Sequence, residues 1–144
     1  MKPIIGLVVF MLVAGCCRGG DKPAVDTGDI DLAVWEKRMH VLFPPGTKSG
    51  GIRMEAGMDN AVYLKVNIPA DAWPGFLGAS PVDPADLSDA KRFFLGPDNG
   101  WWDPGQREEV PTAQASLPNG SVLNMGVCLD GGDRVDVYLM WHER

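Results

Sequence analysis

Cysteine and histidine are scarce in this chain, with three of the first and two of the second among 144 residues. None of them falls at a Cys-x-x-Cys or Cys/His ligand spacing, so the usual zinc donor sets are missing and neither a metal nor a cofactor is expected. There is no Gly-x-Ser-x-Gly elbow to present a serine nucleophile, and Cys128 has no histidine near it in sequence. His40 falls in the last turn of an expected helix, where the dipole favours a cation. His142 sits at a strand end. Neither reads as a catalytic base, so no catalytic residue is assigned. Positive charge is also in short supply: 13 Lys and Arg stand against 19 Asp and Glu, a net charge of -6. The basic residues are scattered, adjacent only at Lys37-Arg38 and Lys91-Arg92. Phosphate binding needs clustered cations, which excludes nucleic acid as a partner and argues against a polybasic hold on anionic lipid. Finally, no apolar run reaches the roughly 20 residues that a membrane-crossing helix requires.

What is present begins with a leader. Met1-Lys2 gives a positive start, and Ile4 to Gly15 is an uncharged stretch of Ile, Leu, Val, Phe and Met that Arg18 closes off. That length suits the core of a signal peptide. The residues Leu12-Val13-Ala14-Gly15-Cys16 then resemble the bacterial lipobox, in which small residues precede a cysteine that is lipidated and becomes the mature N-terminus. Small side chains at Ala14 and Gly15 let a peptidase reach the backbone, and only a thiol at the next position forms the thioether to diacylglycerol. The resemblance covers the leader alone and implies lipidation at Cys16, with two or more acyl chains, palmitate among them, giving a stable membrane anchor. Cys17 is the poorer acceptor because Cys16 rather than glycine precedes it. An aspartate after the lipidated cysteine typically retains such proteins at the inner membrane. Cys17 in that place implies delivery to the outer membrane, facing the periplasm, in a host that has one. Cys128 is expected as a partly buried free thiol rather than a partner for Cys17.

The leader and anchor divide the chain into residues 1–15 as signal peptide, 16–29 as a small, polar, flexible tether, and 30–144 as one domain of ordinary size. High glycine and proline contents, 18 and 12 residues, shorten helices and multiply turns. Leu32, Trp35, Met39 and Leu42 recur at helical spacing behind Asp29 or Asp31, predicting a helix from Asp31 to Phe43 that Pro44-Pro45 stops. Ile52 to Glu55 forms one arm of a hairpin turning at Gly57-Asn60. In the other arm, Ala61 to Ile68, Val62, Leu64, Val66 and Ile68 point one way and Tyr63, Lys65 and Asn67 the other. Ala70 to Ala79 predicts a short helix with Pro74 in its first turn, and Pro84 to Phe94 a further one started by Asp83. Strands follow at Glu109 to Leu117, Val122 to Asp130 and Arg134 to His142, joined at Asn119-Gly120 and Gly131-Gly132. The expected fold is α+β: an antiparallel sheet of four or five strands with a C-terminal meander, one face covered by two or three short helices.

The strongest candidate for function is the loop Asp98-Asn99-Gly100-Trp101-Trp102-Asp103-Pro104. Neighbouring side chains diverge, so Trp101 and Trp102 cannot easily both be buried on one face. Tryptophans on a positioned loop are enriched at interfaces and also stack on sugars. Tyr138, on the less covered face of the sheet with Met140, would enlarge such a surface. The binding residues expected are therefore Trp101, Trp102, Asp98, Asp103 and Tyr138. Asp130 and Asp133 flank a glycine turn and supply too few oxygens for calcium. The function these features suggest is a non-enzymatic, membrane-anchored envelope lipoprotein that binds a protein or cell-wall partner. Two alternatives are an envelope hydrolase using the loop carboxylates and an immunity or inhibitor protein.

Overall fold

The computed structural model describes residues 25–26, 30–130 and 132–144. The expected leader, the lipobox-like residues Leu12 to Cys16, and Cys17 lie outside them, as does most of the expected tether. The domain is a single antiparallel sheet in the spatial order β1-β2-β3-β6-β5-β4, with short helices against it. Its strands are β1 (Val25–Asp26), β2 (Lys48–Glu55), β3 (Ala61–Pro69), β4 (Thr112–Ser116), β5 (Val122–Cys128) and β6 (Arg134–His142). β1 is only two residues that pair with Ile52 and Arg53, so five strands carry the fold.

The period-two pattern of β3 places it at the centre of the sheet. It pairs along its whole length with β6, from Ala61 opposite His142 to Pro69 opposite Arg134. Val62, Leu64, Val66 and Ile68 line one face with Val135, Val137, Leu139 and Trp141. Two helices close that face: α1 (Leu32–Met39), which contributes Trp35 and Met39, and α2 (Trp73–Ala79), which contributes Trp73, Phe76 and Leu77. Apolar faces on sheet and helices must meet to leave water, which produces this layering.

Asp31 caps α1 as expected, its carboxylate accepting from Ala33 N at 3.1 Å. The helix ends earlier than its apolar spacing predicts, at Met39 rather than Phe43. His40 turns left-handed at φ 56°, and the Val41 N–H donates back to the Glu36 carbonyl. This closure caps the orphan carbonyls, and the Glu36 carboxylate then accepts from Phe43 N at 2.7 Å. Val41 rather than Leu42 therefore enters the core, and Leu42 is exposed. The helix expected over Pro84 to Phe94 is likewise two 3-10 segments, Pro84–Asp86 and Asp89–Leu95. Asp83 does cap the first, accepting from Ala85 N. Between them Ser88 exchanges both backbone hydrogen bonds with Thr112 of β4, and that pairing competes with a continuous helix.

Candidate functional site

The second face of the sheet is not open. Residues 89–111 fold across it as a flap, and a second core forms beneath from Tyr63, Leu95, Trp102, Val110, Cys128 and Tyr138. Gly126 of β5 permits the close approach: a Cβ there would stand 2.7 Å from Leu95 Cδ1 and 2.9 Å from Val110 Cγ1. Arg92 secures the flap's outer edge by donating to the carbonyls of Arg107 and Glu108 and to the Asp89 carboxylate. Asp89 in turn accepts from Val110 N at 2.6 Å. The bond from Val110, then that from Arg92, holds the Asp89 carboxyl below its ordinary value.

The tryptophan pair divides as its adjacency predicts. Trp102 is 0% exposed, set edge-on between Tyr63 and Tyr138 at centroid distances of 5.1 and 5.2 Å, and its indole N–H donates to the Leu95 carbonyl. Trp101 packs edge-on against Trp102 at 5.9 Å, at the margin of the same core, and is partly buried on β2. A Cβ at Gly51 would be 2.7 Å from its ring, so Gly51 is the seat of this indole. The strand bulges there, with the register shifting between Ser49 and Gly51. The Trp101 indole nitrogen is buried and has no hydrogen-bond partner among the described residues.

Asp103, next along, enters a charged network on β3 and β6. Its Oδ1 accepts from Lys65 Nζ at 2.8 Å and from Tyr138 OH at 2.7 Å, and its Oδ2 from Arg107 Nε at 3.2 Å. Arg107 also reaches Asp136 at 3.0 Å and Asp130 at 3.2 Å. Strand register builds this arrangement. Lys65 lies directly opposite Tyr138 and Asn67 opposite Asp136, so a strand position that looks outward in the sequence meets its counter-charge across the ladder. The Lys65 side chain is 13% exposed and Asp103 26%.

These surroundings set the protonation states. Burial raises the Asp103 carboxyl, but Lys65, Tyr138 and Arg107 outweigh it and hold the group below its ordinary value. Burial and the bond to Asp103 drive the Tyr138 hydroxyl far up. Burial lowers Arg107, yet Tyr138, Asp103 and Asp136 more than restore it, so its pKa is raised. Cys128 donates to Asp130 at 2.9 Å, and burial followed by that bond pushes its thiol up to about 11. Each group is therefore fixed in its resting form at neutral pH: Asp103 charged, Tyr138 and Cys128 neutral. The bonds from Lys65, Tyr138 and Arg107 to Asp103 form a latch that ties the loop to the sheet.

Of the residues singled out by sequence, Asp103, Trp102 and Tyr138 are thus brought together, and they form the loop's foundation. Asp98 lies apart on the exposed side, where its carboxylate accepts from Gly105 N at 2.7 Å and Gln106 Nε2 at 3.1 Å and closes the loop on itself. Trp101 with exposed Asp98, Asn99 and Gly100 makes the outward surface. Sequence reasoning passed over Lys65, Arg107 and Asp136. For Lys65 and Asp136 the signal was there, as opposite charges on the second face of two strands that pair. Cys128 is a buried free thiol, as expected. A surface depression of about 390 Å³ lies elsewhere, between Glu108, Glu109, Pro111, Leu129 and Asp130. No group of three or more His, Cys, Asp or Glu side chains among the described residues is arranged to hold a metal ion, and no described helix is long and apolar enough to cross a membrane. Comparison of the chain with protein-family models, curated proteins and solved structures finds no match.

Proposed function

We propose that this chain is a lipid-anchored protein of the bacterial envelope, held at Cys16, whose domain binds an envelope protein or cell-wall partner through the Asp98–Pro104 loop. The observation that carries the binding role is the division of labour at Trp101-Trp102. One indole is locked in the second core while the other is left half-buried on a loop clamped at both ends, by Asp98 to Gly105 and by Asp103 to Lys65 and Tyr138. A loop already fixed in one conformation loses little entropy on binding, and tryptophan is the residue most enriched where binding energy concentrates. The Asp103 carboxylate that a hydrolase would need is committed to two cations and a tyrosine, which favours binding over turnover. For location, the lipobox Leu12 to Cys16 supports outer-membrane attachment in a diderm host.

Trp101→Ala tests the binding role. The lipidated wild type is expected to retain purified peptidoglycan or cross-link a discrete envelope protein, and Trp101→Ala is expected to lose that partner while staying folded by far-ultraviolet circular dichroism, at a lowered Tm because the ring is seated on Gly51. Turnover of envelope glycan or peptide that disappears on changing Asp98 or Asp103 would overturn the reading in favour of a hydrolase. A toxin neutralised by this chain and encoded beside it would point to immunity instead.

A further inference from the structure

We propose that the β2–β3 hairpin end of the domain rests on the same bilayer that holds the anchor, with Met54 and Met58 seated at the level of the lipid headgroups. This depends on Cys16 carrying the lipid, as argued above. The antiparallel register of β1 decides which end that is. Val25 pairs with Arg53 and Asp26 with Ile52, so β1 itself enters the sheet from the Glu55 side and runs towards the Lys48 side. Cys16 lies nine residues before Val25, and an extended chain of that length spans roughly 30 Å at most. The anchor is thus tethered on a short lead to the hairpin end of the sheet.

Two of the exposed apolar side chains are also at that end. Met58 at the hairpin tip is fully exposed and Met54 is 60% exposed. Beside them a notch of about 270 Å³ is lined by Met54, Ala56, Val62 and Trp141 together with Arg38, Glu55 and Glu143. Arg38 also borders a second depression with Val34, itself half exposed, and Lys37. Methionine is unbranched and flexible, which suits an irregular surface of mobile lipid. Lys37 and Arg38 add two cations for anionic headgroups. Glu55, Asp59 and Glu143 share this end and oppose deeper entry, so the contact is shallow. The opposite end of the sheet presents exposed Asp71, Asp130 and Asp133 beside Lys48, so carboxylates stand at both ends and the paired methionines with Lys37 and Arg38 distinguish the hairpin end.

The test uses the full lipidated protein in vesicles of phosphatidylethanolamine with a minority of phosphatidylglycerol, doped with a phospholipid bearing a headgroup-level diazirine. After illumination, labelled peptides are mapped by mass spectrometry. Labelling is expected in the 54–60 segment and not in 130–134. Met54→Ser combined with Met58→Ser should lower tip labelling by about tenfold while labelling at the N-terminal cysteine is unchanged. Both methionines are exposed, so the double variant is expected to fold, and its far- and near-ultraviolet circular dichroism checks this. Equal labelling at the two ends of the sheet, or a tip signal unaffected by the double substitution, would overturn the proposal. Release of the wild type by alkaline carbonate, or equal retention of Cys16→Ser, would overturn the anchor itself and the tip contact with it.

Discussion

Replacing Asp103 by asparagine removes one charge from the latch while keeping its shape, and its effect can be worked out from the contacts. The carboxylate accepts from Lys65 at 2.8 Å, Tyr138 at 2.7 Å and Arg107 at 3.2 Å. Asparagine can still accept from Tyr138, but Lys65 is then left with Asp136, at 3.9 Å, as its counter-charge, and with the neutral Trp101 carbonyl at 3.4 Å. Hydrogen bonds to charged groups contribute about 1.5–3 kcal/mol each, and breaking a fully buried ion pair costs about 3–5. Because Asp103 is a quarter exposed, solvent screens part of this, and the expected loss at pH 7 is about 2–3 kcal/mol. For a domain of this size that lowers Tm by roughly 8–15 °C. The sign of the pH dependence is fixed by the depressed pKa of Asp103. Stability from the ionised form is complete above the unfolded carboxyl value, about 3.9, and is lost as pH falls through the lower folded value. Protonated Asp103 resembles asparagine, so the deficit of the variant should shrink in acid. Urea unfolding of wild type and variant, both from Arg18 onward and followed by tryptophan fluorescence at pH 7, 5 and 3, measures this. A variant within about 0.5 kcal/mol of wild type at pH 7, or a deficit unchanged at pH 3, would refute the latch.

Other substitutions examine the same face. Trp102→Ala empties the second core and removes the bond to the Leu95 carbonyl, and should cost about 3–5 kcal/mol by urea unfolding. Gly126→Ala forces a methyl group against Leu95 and Val110 under the flap; a loss of about 1–3 kcal/mol is expected, with no change in the far-ultraviolet circular dichroism that reports the sheet. Cys128, with its thiol up at about 11, should react with a thiol reagent at pH 8 much more slowly than free cysteine, which titrates near 8.5, and at the free rate in urea. Rapid labelling of the native protein would mean that Asp130 and the flap do not shelter it.

How much of this was legible in the sequence depends on what a pattern of alternation can encode. Val62, Leu64, Val66 and Ile68 set against Tyr63, Lys65 and Asn67 locate β3 and its apolar face, while its place beside β6 comes from the structure. The same alternation describes a polar face whether water covers it or the protein's own charges do. Lys65, Tyr138 and Asp136 therefore looked solvated, although the flap and Arg107 bury them. Nothing local could reveal the flap, since its contacts join positions far apart in sequence, as Lys65 to Asp103 and Arg107 to Asp136 show. The helix ends were missed for a different reason. Apolar spacing ran on through Leu42, but the closure at His40 depends on the Glu36 carbonyl being free to take Val41. At the tryptophans, adjacency indicated only that the two would not be buried alike, and Trp102 is fully buried while Trp101 is partly buried at the margin of the same core.

The account rests above all on a lipid at Cys16, and mass spectrometry of the N-terminal peptide from chain purified out of the membrane fraction measures that directly. The expected result is a mature chain beginning at Cys16 with a diacylglyceryl thioether, absent in Cys16→Ser. A chain that retains residues 1–15, or one that begins at another residue without lipid, would contradict it.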